Sequence, residues 1–337
     1  MAIIPIFIPH AGCPHQCVFC NQKTISGQQV ASADAVRQQI ARYLQWVRPD
    51  TANEAAFYGG SFTGLPADLQ TELFQPVDKL LADGVIGSVR LSTRPDYIDA
   101  ERLALLKRHG VKTVELGVQS LDDKVLAAAE RGHQASAVYD AVALLKQFGF
   151  SVGLQLMVGM PGQSFASLRD TIDRAISLKP SQARIYPLLV IKGTPLAAAY
   201  ASGTFTPLTL DAAVEQSAYA YRRLTQAGIK VIRVGLQADE ELCSAGNIIA
   251  GPFHPAFGEL VQSHLLYQDL TPKLQALLDA GADQIRFSCP VQRQSQLRGL
   301  KNSNLQRWQQ LATPVPVSIV ADTKANSITV SGGVADE

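Results

Sequence analysis

The chain has 337 residues, 47% hydrophobic and 18% charged, with 30 Lys and Arg against 29 Asp and Glu. That is enough chain to bury a substantial core, and the apolar fraction excludes intrinsic disorder, which needs low hydrophobicity and high net charge. A net charge of +1 excludes a polyelectrolyte footprint over the whole chain, and no run reaches the roughly 18 apolar residues that a membrane helix needs.

In chain order, short apolar runs recur at Ile4–Ile8, Ala55–Tyr58, Val89–Leu91, Thr113–Val118, Val152–Val158, Ala183–Val190 and Lys230–Val234. Each is too short for a typical helix, and several are rich in Val and Ile, as buried parallel strands are. Helical spacing fills the intervals: Asp34–Val47, Asp68–Leu81, Ile98–Lys107, Ala137–Phe148, Phe165–Leu178 and Asp211–Thr225. Stops such as His109-Gly110 and Phe148-Gly149 end them, with Gly supplying the left-handed residue. Alternating strand and helix implies a parallel α/β sheet with external helices, a complete or partial barrel whose chemistry sits at the strand C-termini. After Gln237 the pattern changes. Two helices are predicted at Ala256–Leu266 and Thr271–Ala280, then strands at Gln284–Ser288 and Val315–Val320 around a helix near Asn304–Leu311, with a frayed tail from Ser331. The expected organisation is a core of residues 1–237 and a smaller α+β module of residues 238–337.

Five Cys, with three inside eight residues, do not form the even framework of a secreted disulfide protein. The apolar start Ile3–Ile8 is too short for a signal core and has no basic flank, so a cytoplasmic protein is expected. The three clustered residues, Cys13, Cys17 and Cys20, follow the first strand at C-x3-C-x2-C. Thiolates on one compact loop can hold an iron–sulfur cluster with one iron left open. They can equally make a structural zinc site with His10 or His15. Cys243 and Cys289 have no near neighbour, so the paired-cysteine pattern of zinc knuckles is missing.

The motif Cys13-Pro-His-Gln-Cys17-Val-Phe19-Cys20 resembles the C-x3-C-x-aromatic-C motif of the radical S-adenosylmethionine (SAM) superfamily. The resemblance implies a partial (βα)6 barrel, a [4Fe–4S] cluster on the three cysteines, and SAM chelating the fourth iron. It also implies one-electron cleavage of SAM to a 5′-deoxyadenosyl radical, with a reductant of the flavodoxin or ferredoxin type. Later strand ends agree. Gly59-Gly60-Ser61 stands where that family places a glycine pair against the SAM amino group, although Ser61 replaces its acidic residue. Ser92-Thr93-Arg94-Pro95-Asp96-Tyr97 and Val190–Thr194 are similar to the radical-SAM domain of the elongator complex catalytic subunit. Gln119 and Arg131, twelve residues apart, resemble a pair near the SAM ribose and carboxylate in oxygen-independent coproporphyrinogen oxidase-like proteins. Gln155 takes the place of a polar ribose contact, and Lys192 that of a substrate or SAM contact.

Two tracts without acids, Arg222 to Arg233 and Arg286 to Arg307, suit phosphate contacts, with Trp308 as a stacking platform for bases. Solvated helix faces explain them as well. Three functions therefore compete: an elongator-like radical SAM enzyme modifying RNA, an anaerobic porphyrinogen-type oxidoreductase, and a non-catalytic metal- or RNA-binding module. His254, in a Gly- and Pro-rich turn, reads as a satisfied turn residue or a lid residue. Cys289 reads as a buried thiol or a hydrogen donor.

Overall fold

The computed structural model describes residues 2–8, 13, 17–21, 31–50, 52–236, 246–323 and 325–333. His10, His15 and Cys243 lie outside the described residues. Two compact units emerge, one of Met1–Ala213 with Arg223–Phe253, the other of Val214–Arg222 with His254–Glu337.

In the first unit seven strands form one sheet: β1 (Ile3–Ile8), β2 (Glu54–Gly59), β3 (Ser88–Thr93), β4 (Val111–Gln119), β5 (Ser151–Val158), β6 (Gln182–Pro187) and β8 (Lys230–Val234). They lie side by side in chain order, all parallel, because each is reached by a helical crossover rather than a hairpin. A short antiparallel ribbon joins β7 (Val190–Ile191) to β9 (Ile248–Ala250). Side chains alternate across the sheet. On β1, Ile4, Ile6 and Ile8 are buried on one face, while Ile3 and Phe7 on the other are exposed.

Three strands separate β2 from β6, yet Arg184 on β6 donates from Nη2 to the Tyr58 hydroxyl on β2 over 3.1 Å. Only a curled sheet brings those residues together. β1 and β8 end the strand order without pairing to each other, so the curl stays open. The strand-helix alternation predicts a complete or partial barrel, and the structure is the partial one that the family resemblance implies. At its open edge, Gln39 from the helix Ala33–Leu44 occupies both backbone groups of Phe7, accepting from N–H at 2.7 Å and donating to C=O at 2.9 Å.

The external helices start where side-chain acceptors stand ready. Ser32, Asp99, Ser164 and Thr209 each accept a first-turn backbone N–H. Gly110 and Gly149, at φ 69° and 74°, terminate the helices that precede them, as the sequence predicts.

The second unit has its own core. β10 (Gln284–Cys289) lies between β11 (Val317–Ala321), parallel, and β12 (Thr329–Gly333), antiparallel. The predicted fraying from Ser331 is thus corrected: Ser331–Gly333 pair with Gln284–Arg286, and residues 334–337 lie outside the described residues. The predicted break near Thr271 is also absent. One helix runs from Phe257 to Asp279 through Pro272. Pro272 lacks the N–H of a helical residue, but Thr271 Oγ1 donates to Tyr267 O at 2.6 Å and accepts from Trp308 Nε1 at 2.9 Å. Those bonds, with Leu270 and Leu274 buried on the same core, hold the helix through the proline. Trp308 is fully buried and stacks on Phe287 at 4.3 Å, so it offers no face to a base. The stacking role is withdrawn.

Candidate functional site

The cysteine loop is pinned from both sides. Val18 N–H donates to Ala129 O at 3.2 Å, Val18 O accepts from Leu196 N at 2.8 Å, and Cys20 N–H closes a turn on Cys17 O at 2.9 Å. Val18 and Phe19 pack against Met157, Met160, Leu188 and Leu196, which gives the loop an apolar back. Its other side faces a cavity of ≈ 120 Å³ lined by Cys13, Cys17 and Cys20.

The strand ends supply the rest of that wall. Gly59, Gly60 and Ser61 follow β2, Ser92 lies at the end of β3, Gln119 ends β4, Gln155 is on β5, and Arg131 comes from the turn after the helix Asp123–Ala128. The structure therefore brings the three cysteines together with Gly59, Gly60, Ser61, Ser92, Gln119, Arg131 and Gln155, along with Gly117 and with Thr93 and Arg94, which the sequence offered only as part of the Ser92–Tyr97 stretch. Gly59 has φ 107°, and a Cβ there would stand 2.2 Å from Ile8 O, so only glycine lets β1 and β2 end this close. The Ser61 hydroxyl is engaged by Thr93 Oγ1 at 2.9 Å and by the Arg94 N–H at 3.3 Å.

Two guanidinium groups approach the sulfurs. Arg131 Nη1 donates to Cys17 Sγ at 3.3 Å and Arg94 Nη1 to Cys13 Sγ at 3.9 Å. Asp96 holds Arg94 by a two-point pair, Nε to Oδ1 at 2.9 Å and Nη2 to Oδ2 at 2.8 Å, and Arg94 also donates to the Arg131 carbonyl. Burial by itself lowers the Arg94 pKa, but the Asp96 bond and charge, then Cys13 and Cys17, bring it above its ordinary value. Beside Arg131, burial and then the Arg131 charge push the His133 imidazole down to about 4.

Among the described residues five buried polar side-chain atoms lack a hydrogen-bond partner, and two of them, Gln119 Oε1 and Arg131 Nε, belong to this cavity wall. Gln119 also carries φ 64°, an uncommon conformation for a side chain of its type. A buried acceptor and a buried cationic donor, both left unmatched on residues of one wall, fit a ligand with an ammonium and a carboxylate, as an amino-acid zwitterion has. No three His, Cys, Asp or Glu side chains among the described residues are grouped around one metal ion. A multi-iron cluster binds each thiolate through a different iron, so its ligands need to share a cavity rather than a point.

Below the cavity the concave face holds a second set of charges. Glu115, 1% exposed, accepts from Arg184 at 2.6 and 3.0 Å and from Arg90 at 3.2 Å. Arg90 also pairs with Glu54, which accepts from Ser88 at 3.0 Å. Gln155 links the two levels, donating to Glu115 Oε2 at 3.2 Å and to the Ser92 hydroxyl at 3.0 Å. No sequence signal marks this network, because its members are isolated charges on four different strands.

The remaining candidates stay outside the cavity. Lys192 is exposed, with its carbonyl accepting from Asn21 Nδ2 at 2.7 Å. His254 accepts the Ala256 N–H at 3.1 Å, the satisfied-turn reading. Cys289 is fully buried in the second unit's core, and burial raises its pKa, as for an inert thiol. In the basic tracts Arg222 pairs with Asp269, Arg223 with Asp173, and Arg307 lies over the Tyr267 ring.

Comparisons with known proteins bear on the family and the fold. The family model of the Radical SAM superfamily matches residues 7–175, and that of the Radical SAM C-terminal domain matches residues 180–266. The tRNA uridine(34) acetyltransferase of Methanocaldococcus infernus is 25% identical over 307 residues, covering 79% of this chain and 56% of the relative. The heme chaperone HemW of Bacillus subtilis is 27% identical over 183 residues, 53% of this chain and 48% of that protein. The chain thus spans about half the length of both relatives. Among solved structures, the archaeal Elp3 of Methanocaldococcus infernus superposes with a TM-score of 0.64 at 24% identity, over 81% of this chain and 63% of that one, a likeness of fold.

Proposed function

The chain belongs to the radical SAM superfamily of enzymes, whose members bind a [4Fe–4S] cluster and S-adenosylmethionine, and on that premise we propose that it is an RNA-modifying radical SAM enzyme with its cluster on Cys13, Cys17 and Cys20. When bound, the pair of cofactors supplies a 5′-deoxyadenosyl radical after one electron arrives from a flavodoxin- or ferredoxin-type donor. The protein's part is to hold, orient and exclude water. Gln119 Oε1 and Arg131 Nε take the ammonium and carboxylate ends of the methionyl group, Gly59 and Gly60 let the backbone come close, and Ser92 and Gln155 face the ribose. Ser61, already engaged by Thr93 and Arg94, shapes the turn beside them.

The observation that carries this reading is the pair of unmatched buried atoms, Gln119 Oε1 and Arg131 Nε, in the wall that also holds the three cysteines. RNA as the substrate class is supported by the tRNA-acting relatives, which cover 79% of the chain. The heme chaperone relative supports a tetrapyrrole-directed alternative. Every residue of the site lies within residues 1–237, which we assign as the catalytic core, with residues 238–337 as an accessory module.

Anaerobic reconstitution tests the reading. Iron and sulfide in equal amounts, and 5′-deoxyadenosine on addition of SAM and dithionite, are expected. A protein that instead holds one zinc and no sulfide overturns it. For the substrate, a tRNA nucleoside altered in cells lacking the gene is expected, and unchanged tRNA with altered tetrapyrrole pools would favour the alternative.

A further inference from the structure

Arg94 lines the cavity and is the most heavily engaged side chain in it. Its guanidinium is 5% exposed and reaches three different segments: Asp96 beyond β3, the carbonyl of Arg131, and the sulfur of Cys13. The paired ions are not arranged symmetrically. The cation end points at sulfur, through Nη1, while the carboxylate sits on the Nε and Nη2 side. Asp96 does not line the cavity. The result is an oriented Arg–Asp dipole with its positive end on one cysteine of the loop.

We propose that Arg94 and Asp96 form a positioning pair that sets the reduction potential of the cluster bound at Cys13, an inference that rests on the cluster reading above. Reduction adds one negative charge to the cluster, and the potentials of such clusters follow local charge and hydrogen bonds to their sulfurs. A cation near sulfur stabilises the reduced state and raises the potential, while a carboxylate behind it pulls the other way. Burial strengthens both effects, because little water is present to screen them. The two-point pairing fixes the guanidinium plane, so the N–H is aimed without depending on a flexible stem. Arg131 also donates to a cysteine sulfur, Cys17 Sγ at 3.3 Å, so both guanidinium groups bear on the loop, and Arg94 is the one with a carboxylate paired behind it.

The pair makes a prediction that a merely structural role does not. Removing the cation by Arg94→Met should lower the midpoint potential. Removing the carboxylate by Asp96→Asn, which leaves the cation in place, should raise it. Arg94→Lys, which keeps the charge but loses the planar fork, should fall between Arg94→Met and the wild type. The measurement is an EPR-monitored redox titration of full-length reconstituted protein without SAM, with iron and sulfide determined on each sample. Shifts of opposite sign in Arg94→Met and Asp96→Asn, at wild-type cluster content, support the proposal. Unchanged potentials, or shifts of the same sign, overturn it. Should Arg94→Met fail to fold, Asp96→Asn and Arg94→Lys still decide by the same opposition of sign. A wild-type protein that takes up no iron and sulfide would instead sink the cluster reading itself, so the two failures are told apart.

Discussion

Two levels of the barrel interior hold buried arginines, and they are treated differently. On the concave face Arg90 and Arg184 are matched by Glu54 and Glu115, with Ser88, Gln155 and Tyr58 completing the bonds. One level up, Arg94 is matched by Asp96, but Arg131 keeps an unmatched Nε and Gln119 an unmatched Oε1. A buried polar group without a partner costs about 1–3 kcal/mol, so such groups persist where something else completes them. The saturated level is architecture, and the unsaturated level is the one the proposed SAM site would complete. Arginine content alone does not separate them; completeness of the hydrogen bonding does.

Substitutions can break or sharpen that contrast. The largest effect belongs to Cys17→Ala, which should abolish cluster retention, read as loss of iron and sulfide, while the folded protein keeps its far-UV spectrum. The next is on the saturated level. Glu115→Ala strips Arg184 of its carboxylate in a buried setting and should cost about 3–5 kcal/mol in a denaturant titration. Glu54→Ala should cost less, because Arg90 retains Glu115. On the unsaturated level, Gln119→Asn shortens the side chain without straining a residue at positive φ. It should leave stability and cluster content near wild type but weaken SAM binding roughly tenfold, about 1.4 kcal/mol. A stability loss as large as that of Glu115→Ala would erase the distinction between the two levels.

A further effect is a pH dependence beside Arg131. His133 titrates at about 4 in the folded protein, against 6.5 as its ordinary value, because burial and the Arg131 charge disfavour the imidazolium. Its folded pKa is depressed, so the unfolded chain takes up the proton first. Stability is then fullest above pH 6.5 and is lost as pH falls toward about 4. Thermal melts of His133→Gln should show a shallower decline across that window. Equal slopes would place the acid sensitivity elsewhere.

The cavity was more legible in the sequence than the network beneath it, for a physical reason. Cys13, Cys17 and Cys20 sit within one loop, and Gly59 to Ser61, Ser92 and Gln119 stand at strand ends, where a parallel sheet gathers its loops, while Gln155 reaches the cavity from within β5. Position along the chain therefore predicts position in space. Glu54, Arg90, Glu115 and Arg184 are single charges inside apolar strands, and only the curl of the sheet makes them neighbours. Arg94 stood within a stretch singled out for Ser92, but nothing in the spacing tells which of its side chains turns toward sulfur. Trp308 was misread for the same kind of reason: it was judged by residue type, as a base platform, while the core of the second unit buries it with its Nε1 on Thr271.

The amide of Gln39, seated on both backbone groups of Phe7, has a consequence for how this protein survives at high concentration. An unclosed sheet ends in raw strand edges, and a bare edge recruits extended segments of other molecules into aggregates. Here one side chain imitates the missing neighbour at the rim and blocks that recruitment locally, without adding a strand that would shut the gap. At Phe7 the strand edge is thus satisfied from within the chain, by a side chain rather than by a further strand.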